Sequence, residues 1–447
     1  MKLPFTLRSF AHGVHPHDHK QGTEHLATEH MPFVSRYVLP LAQGGKPAVP
    51  VVGRGEGVRR GQRIAAADGF VSTDLHSPVD GQVLGFDRHR HPSGELVPCV
   101  ELQADPFSAQ EVSAHATVDP DGLDGDAFVA HVQRGGIVGL GGAAFPAHVK
   151  YKTPAGRVVE HFVLNGCECE PYLTCDHRTM VERAADVLRG ARIVAGQLGA
   201  KDVHIGVEHN KPDAVAALRA NVRPGEAITI TPLQVKYPQG AEKMLIEALF
   251  GVEVPAGKLP LDVGCVVNNV GTMVALADWF DRGVPLIERV VTVSGPGVRR
   301  PANVRVPLGT SVRELLAHCG GTLPETCEMV MGGPMMGSAL ASIDVPVLKG
   351  TSGVLAFTAA ETARGSEYGC LKCGRCLDAC ANFLNPSVLA RLARAGEMKT
   401  LEANFVMDCM ECGACSFACP SNIPIVQLIR VAKSAIRDER RKEAGKS

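Results

Sequence analysis

The sequence predicts a multidomain chain of α/β and α+β domains, and three observations predict it. At 447 residues the chain is too long for one hydrophobic core, and domains of roughly 100–200 residues divide it into three or four. Between about residues 121 and 280, apolar segments of strand and helix length alternate, the pattern of an α/β domain with a mostly parallel sheet. Near the C-terminus, two four-cysteine runs of identical spacing flank a segment with helical periodicity. The formal net charge of −1 gives no footprint for nucleic acid. No run of about 18 apolar residues marks a membrane span. The first 13 residues lack the apolar stretch of a signal peptide. Without an export signal, 15 cysteines point to metal or redox chemistry rather than to disulfides.

The cysteine spacing narrows that chemistry. Cys370, Cys373, Cys376 and Cys380 read C-x2-C-x2-C-x3-C, and Cys409, Cys412, Cys415 and Cys419 repeat it, with Pro420 following. Three cysteines so spaced let a tight loop wrap a cubane, while the fourth normally ligates the other cluster of a two-cluster ferredoxin. The expected sets for two [4Fe–4S] clusters are therefore Cys370, Cys373, Cys376 with Cys419, and Cys409, Cys412, Cys415 with Cys380. The alternative, two zinc sites, would pair short C-x2-C arms across a longer spacer. Gly374 and Gly413 relieve crowding where the loops approach the sulfides. A helix over 386–403 packs against the clusters, a second over 423–437 closes the domain, and the charged tail from 437 is a solvated fray. Of the remaining cysteines, Cys167, Cys169 and Cys175 lie close enough in sequence for a third metal site, although C-x-C-x5-C matches no common cluster spacing; buried small hydrophobes are the plainer reading.

In the middle of the chain, strands are expected at 158–164, 202–207, 227–231 and 264–267, and helices at 178–198, 212–220, 240–250 and 270–280. Ligands of such sheets bind outside the C-terminal strand ends. A Gly-rich stretch, 135–146, contains Gly139-x-Gly141-x-x-Ala144 after a helix-like segment rather than after a strand. Its glycines let backbone N–H groups reach phosphate oxygens, with Lys150 a further point charge; the alternative is a flexible loop. The segment Asn165-Gly166-Cys167-Glu168-Cys169-Glu170-Pro171 ends a strand with polar groups that are costly to bury unpaired. It reads either as hydrogen-bonding groups for a flavin or nicotinamide, or as a polar turn that caps the next helix.

The flanks are β-rich. Residues 50–85 read as short strands and turns punctuated by glycine, resembling a barrel-sandwich hybrid of the biotinyl/lipoyl type. No lysine stands near its hairpin at Ala67-Asp68-Gly69, so a structural role is expected. Residues 290–357 form a second β-rich unit with one helix over 311–319, whose start carries a Ser311…Glu314 capping signal. Its Gly332–Gly337 loop reads as a tight structural turn, with contact to the middle domain as the alternative. Six histidines between His12 and His30 show no regular ligand spacing, and a solvated arm over a neighbouring domain is expected rather than a metal site.

Together these segments carry a family resemblance. His15-Pro16, G-L-G-G-A-A-F-P-A-H-V-K (139–150), N-G-C-E-C-E-P-Y (165–172), Y-P-Q-G-A-E-K (237–243), V-N-N-V-G-T (267–272) and the two cysteine runs make the chain similar to the RnfC family, the C subunits of Rnf electron-transport complexes. The similarity runs from about residue 10 to 435. The middle domain also resembles the flavin- and NADH-binding subunit of respiratory complex I. The resemblance implies a His-rich arm (1–45), a barrel-sandwich hybrid (46–110), a Rossmann-like FMN/NADH domain (120–285), a β-grasp domain of the soluble-ligand-binding type (286–360) and a two-cluster ferredoxin-like helical domain (365–438). It implies that Gly139, Gly141, Lys150, Asn165, Glu168, Tyr237, Gly240, Val267, Asn268, Asn269 and Thr272 serve FMN. Phe145, Glu170, Glu242 and Lys258 would serve NAD(H), with Glu170 and Glu242 orienting the nicotinamide amide and ribose. Three positions depart from the pattern: Ala144 for a glycine, Cys167 for an acid and Leu261 for an aromatic.

The implied activity is NADH oxidoreduction within an ion-translocating complex. A flavin converts between the hydride pair of NADH and clusters that take one electron each. The implied partners are the complex's other subunits and, indirectly, ferredoxin, with this chain peripheral on the cytoplasmic side of the inner membrane. Two alternatives use the same residues: a cobalamin reductase that shares the flavin core and cluster motifs, and an electron-carrying subunit without flavin, motivated by the three departures.

Overall fold

The computed structural model describes residues 7–154, 156–362 and 365–444. At its centre lies a four-stranded, wholly parallel sheet in the order Ile228–Leu233, Asp202–Glu208, His161–Gly166, Cys265–Asn269. The first three strands in sequence run outward to one side, and Cys265–Asn269 then returns to the other side of His161–Gly166. That reversal leaves a switch point between the ends Gly166 and Asn269, where α/β sheets bind ligands. One face is covered by helices Gly125–Arg134, Ala184–Leu198 and Val270–Arg282, and the other by Glu242–Phe250. Two of these helices cross closely: a Cβ at Gly190 would stand 2.1 Å from the carbonyl oxygen of Met273.

The expected helix over 178–198 is two helices, Cys175–Glu182 and Ala184–Leu198. Arg183 breaks them apart with φ −126° and ψ 29°, and its guanidinium pairs with Asp186 and Asp278. The expected strand over 158–164 begins only at His161. Strand and helix otherwise alternate as expected, and helix Pro212–Ala220 begins on its proline as N1 positions favour.

Of the arm expected over 1–45, residues 1–6 lie outside the described residues, and parts of the rest pair with two neighbouring units. Its Arg36–Pro40 is a strand paired with Leu96–Ala104 in the barrel-sandwich unit, and its Glu29–His30 pairs with Ala302–Pro307 in the β-grasp unit. Tyr37 and Leu39 on the first strand are buried in the barrel-sandwich core, which is what binds the segment there. The β-grasp sheet has six strands in the order Glu29–His30, Ala302–Pro307, Glu288–Ser294, Gly353–Thr358, Thr326–Met331, Ser338–Ala339. Its helix, Val312–His318, carries the expected capping box between Ser311 and Glu314.

In the C-terminal unit, the helix expected over 386–403 is split into Pro386–Ala395 and Met398–Ala403 by Gly396, which takes φ +71°, a left-handed stop that glycine makes without strain. The closing helix is longer than expected. Ile425–Ala444 takes in most of the charged tail, and Arg440 pairs with Glu402 to hold it. Among the described residues, no helix is long and apolar enough to cross a membrane.

Candidate functional site

A cavity of about 670 Å³ opens at the switch point, within the ordinary range of ligand sites. Four parts of the chain wall it. The middle domain gives the Gly-rich loop from Leu140 to Ala144, then Asn165, Glu168, Glu170, Tyr237, Gly240 and Asn269. The β-grasp unit gives Met331–Gly333, Met336–Ser338 and Leu348–Ser352, the barrel-sandwich unit Ala42–Gly44 and His91–Ser93, and the C-terminal unit Met410.

Each wall is held by backbone that finds its partners locally. The Gly-rich loop closes on itself where Gly139 N–H donates to the Phe145 carbonyl at 2.8 Å, and Leu140 N–H donates to Thr272 Oγ1 at 2.9 Å. Asn165 accepts from Cys167 N–H at 3.0 Å and donates through Nδ2 to the Gly240 carbonyl at 2.8 Å. Asn269 caps helix Val270–Arg282 by accepting from Gly271 N–H, and its Nδ2 donates to Asp176 at 2.6 Å. A Cβ on Gly141 would sit against the Asn269 side chain at 3.6 Å, and one on Gly240 would stand 2.4 Å from the Cys167 carbonyl oxygen. Both glycines keep the cradle open to backbone N–H groups.

The acids of the 165–171 segment are paired. Glu168 is buried and accepts from the backbone N–H groups of Asp176 and His177 at 2.9 and 3.2 Å, capping helix Cys175–Glu182. Glu170 points at the β-grasp loop, where its two oxygens accept from Met335 N–H and Met336 N–H, each at 2.9 Å. Burial pushes the Glu170 carboxyl up to about 7, against those two amides. Asp176 is likewise pushed up to about 7 by burial and by the charge of Glu168. The Gly332–Gly337 loop is thus a tight turn, with Gly337 N–H donating to the Gly333 carbonyl at 2.9 Å, and also a contact to the middle domain.

Other residues singled out in the sequence lie behind or beside the cavity wall. Lys150 donates to Glu242 at 2.6 Å and to the Val267 carbonyl at 2.9 Å, so its charge is paired. Thr272 and Asn268 are buried. Phe145 is partly exposed, and Lys258 stands on an exposed turn. Cys167, Cys169 and Cys175 do not converge on one point: Cys175 Sγ donates to Glu168, and Cys169 Sγ accepts from Gly240 N–H. The N-terminal histidines are spread out in the same way. His12 packs on Phe383, His15 meets the Val235 carbonyl, and His19 stacks on Tyr172.

Cys380, Cys409, Cys412 and Cys415 rim one small cavity. Burial raises the Cys409, Cys412 and Cys415 thiols, and Cys380 adds to each in the same direction. Burial likewise raises Cys376, with Cys419 and Cys370 as its charged neighbours. Gly374 and Gly413 take φ +81° and +80° at the starts of the two short helices. The first set abuts the large cavity: Tyr237 Oη donates to the Cys412 carbonyl at 2.6 Å, and Tyr237 packs with Met335, Ala379 and Ala414. Cys370 and Cys373 of the other set are exposed.

Known proteins match this architecture domain by domain. Family models described as the RnfC barrel sandwich hybrid domain, the Nuo51 FMN-binding domain, the SLBB domain and the 4Fe-4S dicluster domain match residues 8–106, 132–278, 290–339 and 369–424. The C subunit of the proton-translocating ferredoxin:NAD(+) oxidoreductase complex of Clostridium ljungdahlii is 40% identical over 98% of this chain and 96% of its own. The chain belongs to the RnfC family. The C subunit of the ion-translocating oxidoreductase complex of Rhodobacter capsulatus is 42% identical over 97% of this chain and 84% of its own. The counterpart from the Na(+)-translocating complex of Acetobacterium woodii is 38% identical over 97% and 98%. This RnfC chain is an oxidoreductase subunit with an FMN-binding domain and a domain for two [4Fe–4S] clusters. The residues present fit both groups: a Gly-lined cradle at the switch point, and four cysteines, Cys380, Cys409, Cys412 and Cys415, around one small cavity, with Cys376 near Cys370 and Cys419.

The β-grasp contribution is marked in sequence by the Gly332–Gly337 loop, whereas the barrel-sandwich contribution carries no local sequence signal. The latter includes a close approach. A Cβ on Gly44, which takes φ +91°, would stand 1.6 Å from the Ala144 carbonyl oxygen in the Gly-rich loop. Overpacking of this kind costs about 1–3 kcal/mol, and ~1.4 kcal/mol is a factor of ten in affinity. Gly44→Ala is therefore expected to weaken FMN retention about tenfold or more with the iron content unchanged, as read by fluorimetric titration of the cluster-loaded chain.

Proposed function

We propose that the chain is the peripheral subunit that moves electrons between NADH, taken through FMN in the large cavity, and its two clusters. From there they pass toward partner subunits and ferredoxin, in a complex that couples the transfer to ion translocation. The observation that carries this reading is the contact of cavity and cysteine set through Tyr237 and the Cys412 backbone. When bound, FMN supplies the step from a two-electron donor to one-electron acceptors. The chain itself binds, orients and excludes water. Gly139, Gly141, Asn165, Glu168, Tyr237, Gly240 and Asn269 would hold the flavin. Val267, Asn268 and Thr272 fix the floor, and Lys150 acts there through its pairing with Glu242.

Phe145, Glu170, Glu242 and Lys258 orient the nicotinamide dinucleotide. Each oxygen of Glu170 keeps a lone pair beyond its bond to Met335 or Met336. Cys380, Cys409, Cys412 and Cys415 would hold the cluster beside the cavity, and Cys370, Cys373, Cys376 and Cys419, with two exposed members, the cluster nearer the surface; each cluster would supply one-electron chemistry. A place on the cytoplasmic side of the membrane, where NADH is found, follows from this reading.

The test is equilibrium loading. The chain is reconstituted anaerobically with iron, sulfide and FMN, desalted, and mixed with NADH. The expected result is retained flavin that bleaches, with loss of cluster absorbance. Retained flavin that ignores NADH would overturn the donor and the roles of Glu170 and Glu242. Loss of flavin on desalting would leave an electron carrier with two clusters alone.

A further inference from the structure

At the opposite end of the central sheet from the cavity, where two inner strands begin, lies a cluster that the electron path does not use. We infer that His161, Asp202 and His204 form a binding site for a divalent first-row metal ion of the zinc type. The register places them together: His161 pairs with Asp202 on one neighbouring strand and with Cys265 on the other, so all three project from one face. His204, two residues beyond Asp202, projects from that face as well. His161 Nδ1 lies 2.7 Å and His204 Nε2 3.3 Å from Asp202 Oδ1, and the three donor atoms lie within 4.8 Å of one another.

Both rings are fixed by packing. His161 stacks on Phe250 at 4.4 Å, and His204 meets the same ring edge-on at 4.8 Å. The donor set suits the ion: two imidazoles and a carboxylate match zinc and its neighbours, and three protein ligands leave a coordination position for water. The side chains are 21–31% exposed, which gives the ion a way in. His161 begins its strand and Asn165 lies near its end, about 13 Å away at ~3.3 Å per residue, so the site is separate from the flavin cavity.

The probe is zinc alone, at micromolar concentration, on the chain with both clusters loaded. After desalting, one zinc per chain with unchanged iron is expected, and zinc should raise the melting temperature of the native chain. His204→Ala and Asp202→Asn are expected to weaken retention by about tenfold or more. Both positions are part-exposed, and unchanged iron content and circular dichroism report that each variant has folded. Zinc uptake equal in the native chain and in a His161→Gln/His204→Gln double variant would overturn the inference, as would zinc taken up only with matching loss of iron.

Discussion

Cys380→Ala is expected to remove the cluster that adjoins the flavin cavity, although Cys380 belongs to the first cysteine run. Iron should fall to about half, because one of two four-iron clusters is lost. Flavin should still bleach with NADH, since Cys380 touches no wall of its cavity. The surviving cluster, held by Cys370, Cys373, Cys376 and Cys419, should then be reduced slowly, by roughly 10²-fold, the penalty that poor positioning carries. Cys419→Ala is the counterpart. It should also halve the iron, yet leave rapid reduction of the remaining cluster, which lies against Tyr237 and Cys412. If each run held its own cluster, the two variants would exchange phenotypes. Iron analysis with rapid-mixing absorbance separates the cases. The reason for the crossed expectation is geometric: Cys380 shares a cavity with Cys409, Cys412 and Cys415.

Lys20→Met should disrupt the site from a distance of 148 residues in sequence. Lys20 is 3% exposed, and its ammonium group donates to the carbonyls of Glu168 and Glu170, each at 2.9 Å, and to that of Leu173. Burial lowers its pKa, while the nearby Glu168 charge works to raise it. The three carbonyls belong to the segment that walls the cavity, and the same stretch of arm accepts Tyr172 N–H on the Asp18 carbonyl at 2.7 Å. Methionine keeps the length of the side chain but offers no donor. At about 1 kcal/mol or more for each buried carbonyl left unpaired, the loss is about 3 kcal/mol or more. Chemical denaturation should show it as a lower midpoint. The flavin should leave the variant on desalting even under conditions where the chain stays folded and the iron content is unchanged.

How much of the fold and the site is legible in the sequence depends on the range of each signal. The cysteine runs are local and chemically narrow, so the pairing of Cys380 with the second run is legible from spacing alone. The alternation that marks a parallel sheet is legible because burial on both faces makes near-continuous apolar strands. Helix ends are less so. The break at Arg183 depends on Asp278, nearly a hundred residues on, and the stop at Gly396 on one left-handed residue inside an amphipathic pattern. The two readings of the 165–171 segment, ligand groups or helix cap, turn out to describe different residues. Glu168 caps a helix, Asn165 lines the cavity while bracing Gly240, and Glu170 reaches the β-grasp loop.

What is illegible is the convergence of separate domains. Lys20 and Gly44 stand in the expected arm with no motif to mark them, and the hairpin tip at His91–Ser93 lies in the barrel-sandwich unit, for which a structural role is expected. Their roles come from tertiary contacts that leave no periodicity and no motif. The same holds for Lys150, whose expected phosphate contact rests on sequence position, whereas its partner Glu242 stands 92 residues away.

The central claim is that one chain holds the flavin cavity and the first cluster in direct contact. Anaerobic stopped-flow mixing of the fully loaded chain with NADH tests it most directly, with the flavin and cluster bands followed together at several protein concentrations. Flavin bleaching is predicted to come first, with cluster bleaching following at a rate independent of protein concentration. Cluster bleaching that scales with protein concentration, or that never follows the flavin, would contradict it.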